Sequence, residues 1–294
     1  MSVVETLTLA SEELSVEVAA RRGGRITRLT DRRSGREWLI GPHGTGARAA
    51  LDVTYTETDH YGWDEMLPTV DPCAYPDEPY SGTPLPDHGE LWSASWEVLT
   101  QSATTVHQRV VGRRLDFTFQ RLLEVHGPVL RCSYRCETPV DTVMLWALHP
   151  QFRAVQGTRL CLSPEPETVL EGDLDHLRPR PWTGVLEVDR DVAEGGDLML
   201  YADPDRAVTG ASLTDPCGDA LTMTWDQGAC PYLAIWADRG RYSSGRVIAI
   251  EPCNGFADDL ARAVAAGRAT TFAAGVARTW WVEIALRSGR DESR

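Results

Sequence analysis

The sequence predicts an all-β protein, a large antiparallel β-sandwich with one short helix. Three observations carry that expectation. Short segments of strand composition recur along the whole chain. Turns rich in Gly, Pro and Asp separate them, where helical periodicity would otherwise be sought. The only helix-like segment, residues 257–266, is short. Many short strands joined by such turns bury their apolar faces either against a second sheet or by closing into a barrel.

The elements follow in order. Residues 14–19 alternate apolar and polar, the pattern of a half-buried strand. Residues 106–111, 115–125 and 129–136 read as successive strands, the last two joined as a hairpin by His126-Gly127-Pro128. Cys132 and Cys136 share a strand face but lie too far apart to bridge. Further strands are expected at 143–148, 198–201, 220–225, 232–236, 246–251, 269–274 and 279–286. Two long irregular stretches, 60–89 and 163–191, interrupt the pattern, and loops of that length are usually functional or disordered. The first carries Tyr61-Gly62-Trp63-Asp64-Glu65 and runs into His88, so it reads as the wall of a site. No domain boundary or repeat is visible, and residues 1–294 are expected to form one domain ending in a frayed tail at 289–294.

Composition narrows the chemistry. A net charge of −14 argues against nucleic acid or an anionic membrane as partner. No apolar run is long enough to span a bilayer, and residues 1–10 lack the basic flank and apolar core of a signal peptide. The cysteines number seven, an odd count without a secretion signal, which speaks for a reducing, cytoplasmic setting, and the lack of a Cys-x-x-Cys pair speaks against structural zinc. All 29 basic residues are arginine. Without lysine there is no Schiff base, no pyridoxal phosphate anchor, no P-loop lysine and no Ser-x-x-Lys nucleophile. Neither a Gly-x-Ser-x-Gly elbow nor a dinucleotide glycine fingerprint is present. General acid–base chemistry remains.

Three motifs supply suitable groups. Residues 85–92 read Leu-Pro-Asp-His-Gly-Glu-Leu-Trp, centred on His88. His149 and Glu251 each follow an apolar run and precede a proline, which holds them extended. Each therefore reads as a strand that ends by presenting one polar group. Taken singly, either is an ordinary capped strand end; taken together, two imidazoles and a carboxylate make an acid/base set. Glu251 would serve as base and His149 as acid, with His88 orienting the substrate. Gly89 would let backbone approach a ligand closely. Trp63, Trp92, Trp146 and Trp236 lie in or near the motifs. Indole faces pack on the C–H faces of sugar rings, so one or two of the four are expected at a ligand and the rest in the core.

The order of short motifs resembles a known family. Gly23-Gly24-Arg25-Ile26 and Gly35-Arg36-Glu37 come first, then His88-Gly89 and His149-Pro150-x-Phe152. Glu251-Pro252 and Ala274-Gly275-x-x-Arg278-Thr279-Trp280 follow. Over nearly the whole chain this resembles the aldose 1-epimerase, or galactose mutarotase-like, family. The resemblance implies a supersandwich with a sugar site on its concave face and a small sugar as partner. It implies that His149 protonates the pyranose ring oxygen, that Glu251 takes the proton of the C1 hydroxyl, and that His88 binds near the ring oxygen. No metal or organic cofactor is implied. Many members carry an arginine upstream of the first histidine, where this chain has Gly62-Trp63-Asp64-Glu65. Trp63, Asp64, Glu65 and Trp236 are therefore expected on the substrate, with the carboxylates accepting from hydroxyls and repelling phosphate. A further substrate aspartate is open between Asp203, Asp226 and Asp238. Oligomeric state is also open, a homodimer included.

Other readings stand beside this one. The same scaffold suits a sugar-binding or regulatory protein without catalysis, although a pure binder has no need of a carboxylate facing an imidazole. His88-x-Glu90 with His149 offers three metal ligands. Two of Glu65, Glu90 and Glu251 could form a glycosidase pair. His43, His60, His107, His126 and His176 read as surface or turn residues, 187–191 as a solvated acidic face, and Asp258-Asp259 as the acidic start of the helix.

Overall fold

Burial alternates along Thr105–Val111, Thr118–His126, Val129–Glu137 and Arg278–Arg287, which places one face of each against a shared core, whereas Ala147–Ala154 and Arg246–Cys253 are buried on both faces. The computed structural model describes residues 6–42, 49–173 and 175–290. The expectations for His43, residues 1–5 and the tail 291–294 lie outside the described residues. In chain order the strands begin with β1 (Leu7–Ala10), β2 (Leu14–Ala19), β3 (Arg25–Asp31), β4 (Trp63–Met66), β5 (Cys73–Ala74), β6 (Pro84–Leu85), β7 (Glu97–Gln101) and β8 (Thr105–Val111). Then come β9 (Thr118–His126), β10 (Val129–Glu137), β11 (Thr142–Met144), β12 (Ala147–Ala154), β13 (Arg159–Ser163), β14 (Thr168–Glu171) and β15 (Arg178–Pro181). The rest are β16 (Asp197–Ala202), β17 (Gly210–Thr214), β18 (Ala220–Trp225), β19 (Tyr232–Arg239), β20 (Arg246–Cys253), β21 (Thr270–Phe272) and β22 (Arg278–Arg287). Helices are α1 (Val188–Asp191) and α2 (Leu260–Ala265), with a 3-10 turn at Tyr55–Glu57.

The strands form a ten-stranded sheet, β1-β2-β3-β4-β12-β20-β19-β16-β14-β15, and an eight-stranded sheet, β13-β17-β18-β22-β10-β9-β8-β7. Neighbours within both are antiparallel, and one hydrophobic cluster draws on both, from Val16, Ile26, Leu148 and Ile250 to Leu123, Leu130, Val282 and Ile284. The expected sandwich is thus present. The 126–128 hairpin pairs His126 with Val129, and Cys132 and Cys136 lie on the buried face of β10. No helix among the described residues is long and apolar enough to cross a membrane.

Several expectations change. The run 143–148 is two strands: β11 pairs with β21, and β12 starts at Ala147, where Asn254 Oδ1 accepts from the Trp146 amide. His149 and Glu251 sit inside β12 and β20 rather than at strand ends, and both strands continue through their prolines. The stretch 60–89 contains β4, a central strand. The stretch 163–191 contains β14, β15 and α1, and its acidic segment is not merely solvated, since Asp189 pairs with Arg239 and Arg246.

Two of the four residues of β4 are acidic, which hides the strand in the sequence. Its register is nonetheless strongly determined. Trp63 and Glu65 point into the inter-sheet core, and Asp64 points to the other face, as a period of two requires. Glu65 meets Arg121 of β9 at 2.9 Å, and both are wholly buried. Tyr134 Oη and Trp146 Nε1 also donate to Glu65, at 3.0 Å each, and Arg121 donates to Gln108 Oε1 and Gly24 O. Removing one member of such a pair strands the other charge in the core, at a cost of about 3–5 kcal/mol. We therefore expect Glu65→Gln to lower unfolding free energy by about that amount in urea titration, whereas Glu97→Gln, which breaks the exposed Arg109 pair, stays within about 1 kcal/mol of wild type.

Candidate active site

The site grows from one row of residues across the ten-stranded sheet. Asp64 of β4 is the register partner of His149. The β12–β20 ladder pairs Ala147 with Cys253 and Gln151 with Ala249, which sets His149 opposite Glu251. Glu251 pairs with Ala234 of β19, and Ala234 with Tyr201 of β16. Because side chains alternate, Asp64, His149, Glu251 and Tyr201 share the face turned away from the inter-sheet core. A second row two residues along contains Gln151, Ala249, Trp236 and Met199.

The two prolines act at this point in the sheet. Pro150 and Pro252 have no N–H to give, and the β12–β20 ladder skips from one pair to the next across them. A side-chain bond spans the gap: His149 Nδ1 donates to Glu251 Oε1 at 2.6 Å. Nδ1 carries the proton in this bond, since an ionised carboxylate only accepts. His149 is 7% exposed and Glu251 3%. Burial opposes charge on the imidazole, but Glu251, with Asp64 and Asp258 behind it, outweighs burial and raises His149 above the ordinary histidine value.

His88 reaches the same pocket from a loop. Its backbone has φ 57°, and its amide donates to Val70 O at 2.6 Å. The Nδ1–H donates to Asp87 Oδ1 at 2.7 Å. Burial would raise Asp87, but the bonds from His88 and the Tyr55 amide prevail and lower it. Tyr55 stacks on His88, with ring centroids 4.1 Å apart and planes 4° from parallel. His88 and His149 meet edge to face at 5.6 Å. Tyr55 is held in turn by Asp64, whose Oδ2 accepts from its hydroxyl at 2.8 Å, and Asp64 is paired with Arg25 at 2.7 Å.

Tyr55, His88, His149 and Glu251 line a cavity of about 180 Å³ with Trp236, Tyr242, Met199, Asp71 and Asp258. Of the sequence-predicted site residues, His88, His149, Glu251 and Trp236 come together there. Trp63, Asp64 and Glu65 do not line it. Trp63 packs in the core, Glu65 is bound between the sheets, and Asp64 lies behind Tyr55. Trp92 and Trp146 are also buried away from the cavity. Gly89 brings backbone close to Leu67: a Cβ there would lie 2.2 Å from Leu67 O. Glu90 accepts from the amides of Arg113 and Arg114, so His88-x-Glu90 forms no chelate and Glu90 no glycosidase pair. None of Asp203, Asp226 and Asp238 reaches the cavity; Asp238, for one, binds the amides of residues 240–243.

Two pocket residues were misread from sequence. His60 is buried and lines the cavity, its ring nitrogens each 3.0 Å from a carbonyl, of Thr58 and of Tyr242. Asp258 is not the helix cap. Asp259 caps α2, accepting from the Arg262 amide at 3.0 Å, and Asp258 turns to the cavity, where the Tyr201 hydroxyl donates to Oδ2. The clue was arithmetic: one helix start needs one capping aspartate, and the other must find a different role. Burial pushes Asp258 up to about 7; the Tyr201 bond opposes this and the charges of Glu251 and Asp71 add to it.

The molecule is a large antiparallel sandwich with two imidazoles and a carboxylate gathered in one small pocket on a sheet face. By sequence, the chain matches no protein-family model and no curated protein. By structure, it aligns with a protein from Synechocystis sp. PCC 6803 at 16% identity and a TM-score of 0.74, covering 98% of this chain and 99% of that one. It aligns equally with a galactose mutarotase-like protein from Lactobacillus casei, at 16% identity and a TM-score of 0.74, over 96% of this chain and all (100%) of that one. A galactose mutarotase related enzyme from Lactobacillus acidophilus gives 13% and 0.72, over 97% and 98% of the two chains. The fold of this chain is the galactose mutarotase-like β-sandwich.

Asp258 makes stability depend on pH. Its folded pKa lies above its unfolded value, so it favours folding most below the ordinary aspartate range, and that advantage is lost as pH rises through about 7. Asp258→Asn should therefore gain stability relative to wild type between about pH 5 and about pH 8, read from urea midpoints; a difference that does not change with pH would contradict the assignment.

Proposed function

We propose that this protein is a sugar mutarotase of the aldose 1-epimerase kind, interconverting anomers by acid/base ring opening. The observation that carries the reading is the His149–Glu251 bond of 2.6 Å inside a pocket shared with His88. The ring oxygen and the anomeric hydroxyl oxygen of a pyranose are bonded to the same carbon. A catalyst for ring opening therefore needs its acid and base side by side, as these two are.

With Nδ1–H committed to Glu251, Nε2 is the ring nitrogen left for substrate, and the raised pKa favours its protonated form. Nε2–H gives its proton to the ring oxygen while Glu251 takes the proton of the C1 hydroxyl. The C1–ring oxygen bond breaks and the C1 carbonyl forms. The neutral imidazole and the protonated carboxyl remain hydrogen-bonded, so no charge is left isolated in the pocket. Rotation about C1–C2 presents the other carbonyl face, and the protons return by the reverse path. His88, aligned by Asp87 and by the Tyr55 stack, offers Nε2 to the same end of the sugar.

Size supports the reading. Pockets for drug-sized ligands run to about 300–1,000 Å³, and a cavity of about 180 Å³ suits one small ring. Trp236 supplies a flat apolar wall beside His149, with centroids 5.9 Å apart. The mechanism moves protons alone and calls on no metal or organic cofactor. We place the protein in the cytoplasm, in keeping with cysteines that are all free, and treat the chain as one domain.

Anomer exchange measured by NMR exchange spectroscopy tests this. Wild type should accelerate exchange of at least one common aldose, and Glu251→Gln and His149→Ala should each reduce the rate by about 10²-fold or more. Sugar binding without any acceleration would instead favour a non-catalytic sugar-binding protein.

A further inference from the structure

The pocket contains carboxylates that the proton transfers do not use. Asp258 stands seven residues beyond Glu251, in the turn between β20 and α2. Its carbonyl accepts from the amides of Val70 and Asp71, at 2.9 and 2.8 Å, and from Thr69 Oγ1 at 3.2 Å. Val70 in turn accepts from the His88 amide. One loop thus fixes Asp258 relative to His88. Tyr201, the last member of the catalytic row, fixes the carboxyl itself through Oδ2. A carboxylate has about four acceptor positions, and Tyr201 takes one.

Asp258 is half-buried, and its charge environment differs from that of Asp64 and Glu65, two carboxyls buried on β4. Asp64 is paired with Arg25, and Glu65 with Arg121. Among the described residues, neither Asp258 nor Asp71 has an arginine within ion-pair distance, and no arginine lines the cavity. Besides them the wall has Glu251, already engaged with His149, and His149 itself, which is 93% buried and whose Nε2 has no hydrogen-bond partner among the described residues. An anionic substituent entering here meets acceptors and like charge; a hydroxyl or an ammonium meets acceptors that lack donors.

We infer that Asp258, positioned by Tyr201, contacts the substrate and sets its class: a sugar that presents a hydrogen-bond donor to this carboxyl, and not a sugar phosphate or a uronate. This rests on the sugar reading of the pocket. It adds to that reading the residue that chooses among sugars. Asp258 is a specificity residue, and Tyr201 a positioning residue acting through it.

The test separates binding from catalysis. Saturation-transfer NMR on the full chain, at about pH 8, would compare glucose, glucosamine, glucuronate and glucose 6-phosphate. Wild type and Glu251→Gln should both bind glucose or glucosamine and discriminate against the two anions, with the comparison of those two showing whether the donor is hydroxyl or ammonium. Asp258→Asn should weaken the bound sugar by about tenfold or more and narrow the gap to the anions. In anomer exchange it should raise KM more than it lowers kcat, and Tyr201→Phe should move KM in the same direction by less. Unchanged affinity and ranking in Asp258→Asn, with a normal unfolding transition, would overturn the inference. So would binding of the anions alone, or of no member of the panel. If Glu251→Gln leaves exchange unaffected, the catalytic reading fails while the ranking still tests Asp258.

Discussion

Burying Glu65 and Arg121 between the two sheets is tolerable because each neutralises the other, with Tyr134, Trp146 and Gln108 adding hydrogen bonds. That pair does more than join the layers. It decides which way β4 faces. A slip of one residue would turn Glu65 to the outer face and drive Asp64 into the core. With Glu65 fixed inward, Asp64 must lie on the outer face beside His149, where it holds the Tyr55 hydroxyl. Tyr55 then supports His88 by stacking. A core ion pair in one direction and an aligned imidazole in the other are two ends of one register.

The pair of prolines works in the opposite sense. In most sheets a missing amide in a central strand is a fault. Here the fault coincides with the closest approach of His149 and Glu251, and a hydrogen bond between side chains takes over where the backbone ladder lapses. The same residue type that holds each polar group extended also clears the ladder between them.

How much of this was legible in the sequence depended on whether the signal was local. Alternation in β2, β8, β9 and β10 gave strands close to those observed, and the Gly127 turn gave the hairpin. His149 and Glu251 were legible because proline restricts its neighbour whatever surrounds it. β4 was not, because its acidic residues are neutralised by Arg25 and Arg121, one from a neighbouring strand and one from the other sheet. Asp64 and Glu65 were expected at a ligand for the same reason: exposed and compensated carboxylates look alike in sequence. The room that Gly89 makes for the Leu67 backbone has no local signal at all. Asp258 was assigned to a helix start by adjacency alone, when the hydroxyl that claims it comes from β16, far away in the chain.

The far border of the ten-stranded sheet is β15, whose sequence is Arg-Pro-Arg-Pro. Pro179 and Pro181 are register partners of Leu170 and Thr168, two residues apart on one strand, so their nitrogens point the same way. A proline is accommodated at a border only with its nitrogen turned outward. The outward rim of β15 therefore offers no amide at either position, and Arg178 and Arg180 stand beside it. An incoming strand would find neither donors to zip onto nor a neutral surface to lie along. Edge-to-edge polymerisation, the standing hazard of an open sheet this wide, is closed off on that side by four residues.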